Sequence, residues 1–188
     1  MLTVGLIGAG RIGRVHASTI VQDEGSQLVA VADSVDENAK NLAKLYKVNP
    51  RSVDAIFEDN SIEAILIASS TDTHSDFIEK ASKAGKAILC EKPVDLSLAR
   101  AKRCLENTKS NEHSIMMGFN RRFDPNFVAL KNALDGGEIG TAELLSITSF
   151  DPAPPPIDYV KVSGGIFKDM MIHDFDMANF LYGELPKS

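Results

Sequence analysis

Val4-Gly5-Leu6-Ile7-Gly8-Ala9-Gly10-Arg11-Ile12-Gly13 joins an apolar run directly to a glycine-rich turn. The apolar run predicts a short β-strand, and a helix-like pattern follows the glycines to about Val21. In a G-x-G-x-x-G turn, the first glycine permits the tight bend, the second lets the backbone approach a pyrophosphate, and the third lets the helix pack closely on the strand. N–H groups at the helix N-terminus face the phosphates. The predicted dinucleotide site consists of Gly8, Gly10, Arg11, Ile12 and Gly13.

An acidic residue follows the second apolar run at the position that a dinucleotide site requires. Asp33 directly follows the apolar residues 28–32 and lies twenty positions after Gly13. A carboxylate there accepts hydrogen bonds from the adenosine ribose and repels a 2′-phosphate. We therefore expect NAD rather than NADP, with Ser34 in the same site, although Arg11 partly opposes this preference. Asp33 could instead cap a helix that begins near Asp36.

Strand-like and helix-like segments alternate through residue 118. Further strands are predicted at residues 64–68, 87–90 and 114–117, and helices near residues 36–46, 74–84 and 97–109. Residues 64–68 are uninterrupted apolar sequence, which is typical of a strand covered on both faces. The alternation predicts an α/β fold in which residues 1–118 form a Rossmann domain, a doubly wound parallel sheet that binds NAD.

The pattern changes after Gly118. Helices are predicted near residues 125–134 and 169–182, with a β-like run at residues 142–150 between them. A single strand would leave both of its edges unpaired. We therefore expect residues 119–188 to be the N-terminal part of a second, α+β domain with an open sheet, which is incomplete in this chain.

Composition excludes several classes of partner. The chain has 188 residues, 44% of them apolar, and a net charge of −6, which argues against nucleic acid or an anionic membrane as a partner. No stretch approaches the roughly 20 apolar residues of a membrane span. Cys90 and Cys104 lack the spacing of metal ligands and the density of a disulfide scaffold. We expect a cytoplasmic protein without a metal.

Candidate chemical groups follow two of the predicted strands. Glu91-Lys92-Pro93 comes directly after residues 87–90, so Lys92 lies at the carboxyl edge of the sheet, where ligands bind. Ser70, Thr71 and His74 follow residues 64–68. The hydroxyl groups could line the site near the ribose or the nicotinamide, or they could cap the helix that begins there.

Asp169 and His173 are four residues apart on a predicted helix and would therefore share a face. A carboxylate behind an imidazole fixes its tautomer and stabilises the imidazolium. Alternatively, Asp169 caps the helix and His173 is an ordinary polar residue. The nearby Asp174 and Asp176 would also suit an acidic helix start or a metal site. Arg121-Arg122 could bind substrate or form surface ion pairs.

Together these residues resemble the Gfo/Idh/MocA oxidoreductase family, and most closely its inositol 2-dehydrogenases. The resemblance runs the length of the chain. It is carried by residues 8–13, Asp33, Ser70-Thr71 with His74, Glu91-Lys92-Pro93, residues 118–124 and residues 164–174. One departure is Phe150, where similar inositol dehydrogenases often have a basic residue before Asp-Pro.

The resemblance implies a function and assigns residues to it. His173, oriented by Asp169, would take a proton from a secondary alcohol of a ring polyol while hydride passes to NAD, and Lys92 would hold the same oxygen. The substrate would be myo-inositol and the product 2-keto-myo-inositol. The implied catalytic residues are Lys92, Asp169 and His173. The implied cofactor contacts include Ser70, Thr71, His74, Glu91 and Lys92. The implied substrate contacts are Lys92, Asn120, Arg121, Asp151, Asp169 and His173.

Three alternatives stay open at this point. The chain could act on another sugar or cyclitol, it could be a non-catalytic NAD-binding regulator, or it could be a truncated and inactive product. The combination of Lys92, Asp169 and His173 counts against a regulator, which needs no proton-transfer groups. The resemblance also implies a homo-oligomer, a tetramer or dimer, where the second domain is complete.

Overall fold

A computed structural model describes residues 1–110, 113–151 and 153–186. The chain divides into two compact units, residues 1–118 and residues 119–188. Among the described residues, no helix is both long and apolar enough to cross a membrane.

The first unit is built on one six-stranded sheet in which every strand pairing is parallel. The strands are β1 (Leu2–Ile7), β2 (Ser26–Ala32), β3 (Asn49–Pro50), β4 (Ala64–Ile67), β5 (Ala87–Cys90) and β6 (Ile115–Met117). Their order across the sheet is β3-β2-β1-β4-β5-β6, the order of a dinucleotide-binding Rossmann sheet. The predicted fold class is confirmed.

Helices cover both faces of this sheet. They are α1 (Arg11–Gln22), α2 (Asp36–Tyr46), α3 (Val53–Glu58), α4 (His74–Lys83) and α5 (Leu98–Thr108). Residues of α1 and α2 join one buried cluster, and residues of α3, α4 and α5 join the other. In β4, Leu66 belongs to the first cluster and Ile65 and Ile67 to the second. Because both faces of β4 are buried, its sequence is apolar without interruption.

Two short elements were not predicted from the sequence. β3 has two residues and lies at the edge of the sheet, where Pro50 is tolerated. α3 has six residues, and the Ser52 hydroxyl accepts a hydrogen bond from the Ala55 N–H at its N-terminus. Neither element is long enough to show a periodic pattern of apolar residues. The remaining local signal for α3 was Ser52, a residue type that favours the N-cap of a helix.

Lys86 joins the turn before β4 to the start of β5. Its side chain is buried, and Nζ donates to the carbonyl oxygens of Asp59 and Ile62, at 2.6 and 2.8 Å. These carbonyls belong to the connection between α3 and β4. A buried ammonium is tolerated because backbone acceptors replace its water.

The regular elements of the second unit are all helices where the structure describes it. It contains a 3₁₀ turn at Asn120–Phe123, followed by α6 (Pro125–Asp135), α7 (Ile157–Val162), α8 (Gly165–Asp169) and α9 (Ile172–Tyr182). The prediction of a strand at residues 142–150 was wrong, because these residues form no strand. A β-like composition gives a strand only where a second strand pairs with it, and the described part of this unit offers none.

The predicted helix over residues 169–182 was also wrong at its start. Asp169 is the last residue of α8, and a turn at Met170 and Met171 separates it from α9. Asp169 and His173 therefore do not share the face of one continuous helix. Neither glycine nor proline marks this break, so the sequence carried no signal for it.

We expect the variant Lys86→Met to be less stable than the wild-type chain by about 1–3 kcal/mol, because the carbonyls of Asp59 and Ile62 lose their donor. Urea unfolding followed by circular dichroism measures the difference. The matched control is Lys83→Met, since Lys83 is exposed at the end of α4. Equal midpoints for the two variants would contradict the structural role of Lys86.

Candidate active site

The glycine-rich turn is fixed by close backbone approaches. Gly8 has φ +103°, and a Cβ there would lie 2.3 Å from the carbonyl oxygen of Ala68. A Cβ on Gly13 would lie 1.9 Å from the carbonyl oxygen of Gly8. These two glycines therefore let α1 and the end of β4 close on the turn, as the sequence motif predicts.

Gly10 has a different environment. A Cβ on Gly10 would meet no atom within 4 Å among the described residues. Gly10 is the N-cap of α1, and its cap has no side-chain hydrogen bond within the described part of the chain. The first N–H groups of α1, which begin at Arg11 and Ile12, therefore remain for an anion. The open space and the helix terminus fit the pyrophosphate of a dinucleotide.

Asp33 ties the end of β2 to the glycine-rich turn. Its Oδ2 accepts from the Ala9 N–H at 2.6 Å, and its Oδ1 accepts from the Val35 N–H at 2.8 Å. The N-cap of α2 is Val35, so the alternative of Asp33 as the cap residue is not what the structure contains. A carboxylate oxygen has two lone pairs, so each oxygen can still accept from a ribose hydroxyl. The ribose contacts of Asp33 and Ser34 stay a prediction.

The strand register brings the candidate groups of the first unit to one edge. Ile7 pairs with Ala32 and with Ile67, and Ile67 pairs with Cys90. The next residues in each strand direction are Gly8, Asp33, Ala68 and Glu91. The glycine-rich turn, Asp33 and the Glu91-Lys92-Pro93 corner therefore follow neighbouring strands at the carboxyl edge, where ligands of such sheets bind. The Lys92–Pro93 peptide bond is cis.

The Glu91 side chain is held by the protein itself. His16 Nε2 lies 2.7 Å from Glu91 Oε1, and about a fifth of each side chain is exposed. Burial raises the pKa of Glu91. The hydrogen bond and charge of His16, together with the N–H and charge of Lys92, lower it by more than burial raises it, so the pKa lies below its ordinary value of 4.5. A Cβ on Gly118 would lie 3.0 Å from Glu91 Cδ, so Gly118 leaves room for this carboxylate. The sequence did not single out His16.

His74 is buried between the loops that follow β4 and β5. Its side chain is 1% exposed, with Nδ1 2.8 Å from the Pro93 carbonyl oxygen and Nε2 3.1 Å from that of Ser69. Both ring nitrogens face backbone acceptors, and the contact predicted between His74 and the cofactor stays a prediction. Ser70 is exposed and Thr71 is half-buried, and their cofactor contacts stay a prediction.

Both arginines of the second unit are in ion pairs. Arg121 Nη1 donates to Asp174 and, at 3.3 Å, to Ser149 Oγ. Arg122 donates twice to Asp176, at 2.7 and 2.6 Å, and this hydrogen bonding raises the pKa of the guanidinium. The bidentate pairing favours a structural role for Arg122. The substrate contact predicted for Arg121 would have to coexist with the Asp174 pair.

The remaining candidates of the second unit are Asp169, His173, Asn120 and Asp151. Asp169 Oδ1 accepts from the Tyr159 hydroxyl at 2.7 Å, a partner that sequence reasoning missed. The ring of His173 meets the Phe119 ring edge to face, with 6.4 Å between centroids. Asn120 and Asp151 are exposed. Their roles in the site stay a prediction.

The glycines Gly8 and Gly10 give a matched pair of variants. Gly8→Ala should lower the free energy of unfolding by about 1–3 kcal/mol from its backbone conformation alone, and further through its clash with Ala68. Gly10→Ala should cost at most about 1 kcal/mol of stability, because alanine is a poorer N-cap than glycine, but should raise the Kd for NAD about tenfold, a loss of about 1.4 kcal/mol. Urea unfolding and NAD titration by fluorescence measure the two effects. Equal stability losses in both variants would refute the assignment.

The variant Glu91→Gln tests the lowered pKa of Glu91. The ionised carboxylate stabilises the fold above its ordinary pKa of 4.5, and this contribution is lost as the pH falls through the lower folded value. We expect the variant to be less stable by about 1 kcal/mol at neutral pH, because it keeps an acceptor but loses the charge. Urea unfolding at neutral pH and at about pH 3 should show the difference shrinking in acid. A constant difference would contradict this.

Comparison with known proteins agrees with this geometry. Residues 2–119 match the family described as "Oxidoreductase family, NAD-binding Rossmann fold", and residues 127–188 match the GFO/IDH/MocA C-terminal domain. An inositol 2-dehydrogenase of Rhizobium meliloti is 52% identical over 184 residues, which cover 98% of this chain and 56% of that protein.

Two solved structures are similar over nearly all of the chain. A myo-inositol dehydrogenase from Corynebacterium glutamicum superposes with a TM-score of 0.91 at 44% identity, covering 96% of this chain and 55% of that one. A scyllo-inositol dehydrogenase from Lactobacillus casei, with bound NAD(H) and scyllo-inositol, gives a TM-score of 0.85 at 29% identity and coverages of 97% and 56%.

The chain thus spans a little over half the length of the relatives it matches. The family match over residues 2–119 coincides with the parallel sheet, the glycine-rich turn and Asp33. The first unit is an NAD-binding Rossmann domain, and the chain belongs to the GFO/IDH/MocA oxidoreductase family.

Proposed function

We propose that this protein oxidises a secondary alcohol of a ring polyol to a ketone with NAD. The observation that carries the proposal is the position of Lys92 in the corner that directly follows β5, at the edge where the glycine-rich turn and Asp33 also lie. A cation at this edge can reach a substrate placed beside the nicotinamide. The similarity to inositol dehydrogenases supports the same reaction class.

Proton handling involves four side chains in this proposal. His173 takes the hydroxyl proton of the substrate, and Asp169 orients its imidazole and stabilises the imidazolium. Tyr159 fixes the Asp169 carboxylate by donating to it. Lys92 donates a hydrogen bond to the reacting oxygen. NAD, when bound, supplies the hydride acceptor at C4 of its nicotinamide.

The proposed substrate is myo-inositol and the product 2-keto-myo-inositol. The names of the relatives include both myo- and scyllo-inositol dehydrogenases. Scyllo-inositol, or another cyclitol or sugar, is therefore the second candidate substrate. We also propose a cytoplasmic location, since an NAD enzyme uses the cytoplasmic cofactor pool and both cysteines are free. The resemblance to the family supports a homo-oligomer as well.

NADH formation, followed by absorbance, tests the function. Myo-inositol, scyllo-inositol and glucose would each be offered with NAD, and separately with NADP. We expect turnover with an inositol and NAD. NAD binding without turnover on any polyol would instead favour a regulator or an inactive piece of a longer enzyme.

The variant His173→Ala should lose about 10²–10⁴-fold in kcat, the usual contribution of a general base, and keep the wild-type Kd for NAD. His113→Ala is the matched control, because His113 is exposed at the opposite, amino end of β6. If kcat of His173→Ala matched that of the control, His173 would not be the base.

A further inference from the structure

We infer that His74 is a positioning residue for Lys92. The inference rests on the proposed function, in which Lys92 holds the reacting oxygen. His74 is the first residue of α4, yet its side chain is 1% exposed and lies behind the carboxyl edge of the sheet. It does not touch the substrate or the cofactor in this role. It acts through the backbone of Pro93, the residue that follows the candidate lysine.

The contacts of His74 connect two neighbouring loops. Nδ1 lies 2.8 Å from the Pro93 carbonyl oxygen, in the corner that follows β5. Nε2 lies 3.1 Å from the Ser69 carbonyl oxygen, in the loop that follows β4. β4 and β5 are adjacent parallel strands. The imidazole therefore fixes the Lys92-Pro93 corner against the loop beside it.

The two contacts of His74 are chemically unequal. A carbonyl oxygen only accepts, and a neutral imidazole carries a single N–H. A neutral ring can therefore donate to one of the two oxygens, and the shorter distance selects Pro93. The contact that matters for Lys92 is thus the one made through Nδ1.

Further hydrogen bonds hold the corner before and after Lys92. Ser75, the next residue of α4, donates through Oγ to the Val94 carbonyl oxygen at 3.1 Å and to Asp95 Oδ2 at 2.9 Å. On the other side, His16 holds the Glu91 carboxylate. Residues 91 and 93–95 are therefore all anchored by side chains of α1 and α4. The reach of Lys92 is set by this frame, and an error of about 1 Å at a reacting group can cost about 100-fold in rate.

Two variants with amide side chains distinguish the two contacts of His74. The amide nitrogen of Asn takes the place of Nδ1, and that of Gln takes the place of Nε2. His74→Asn keeps the donor to Pro93 and should retain kcat within about threefold of wild type. His74→Gln loses that donor and should lower kcat by about 10–100-fold, with the Kd for NAD and the KM for the polyol within about twofold.

The control variant is His113→Gln, for which we expect wild-type kcat. Equal kcat values for His74→Gln and wild type would overturn the inference. So would equal losses in His74→Asn and His74→Gln, because a general packing role would not be rescued by Asn. Thermal unfolding of each variant identifies any that fail to fold. If His74→Gln does not fold, His74→Asn is compared directly with wild type. Loss of kcat in a folded His74→Asn would also overturn the inference.

A measurement without turnover keeps this test separate from the proposed function. Reductive methylation with ¹³C-formaldehyde gives each lysine a dimethyl NMR signal, and the Lys92 signal is the one absent from Lys92→Arg. We expect His74→Gln to shift or broaden this signal and His74→Asn to preserve it. If the wild-type chain lacks turnover but the signal changes as expected, the function fails and the positioning role stands. An unchanged signal in His74→Gln would refute the positioning role in an active or an inactive protein.

Discussion

Ile7 pairs in register with Ile67, and Ile67 with Cys90, so that three parallel strands end on one line. The residues that follow these strands have no further ladder to join, and their backbone is available for turns. The glycine-rich turn and the Glu91-Lys92-Pro93 corner both begin at this line. Their proximity follows from main-chain hydrogen bonds that do not depend on the identity of the side chains. In the first unit, the strand register therefore sets where the candidate site lies, and side chains set its detailed geometry.

This detailed geometry relies on steric contact in the glycine-rich turn and on hydrogen bonds elsewhere. Gly8 approaches Ala68 so closely that no side chain fits, and Gly13 approaches Gly8 in the same way. At the corner, His16 and His74 hold the chain through Glu91 and Pro93. Each of these groups is oriented when the protein folds, so the cost of ordering it does not fall on ligand binding. The same residues therefore stabilise the fold and prepare the site.

Sequence reasoning succeeded where a pattern was local and long enough. The apolar run at residues 64–68 predicted the central strand, which the structure has at Ala64–Ile67, and the spacing from Gly13 to Asp33 predicted the cofactor; both predictions are confirmed. It failed for β3, which has two residues, and for the turn between α8 and α9, which no glycine or proline marks. It could not find the partners of His16 and His74, because Glu91 and Pro93 lie 75 and 19 residues away from them. Hydrogen bonds over such separations leave no period in the sequence.

The predicted preference for NAD over NADP has a physical basis that the position of Asp33 alone does not give. An isolated carboxylate could rotate away from a 2′-phosphate and let a nearby arginine neutralise it. Here Oδ1 and Oδ2 accept from the N–H groups of Val35 and Ala9, so rotation would break two hydrogen bonds. One of these N–H groups lies in the glycine-rich turn itself. Moving Asp33 to admit a 2′-phosphate would thus disturb the glycine-rich turn, so the predicted contacts of Asp33 with the ribose and of the turn with the pyrophosphate both depend on this one side chain.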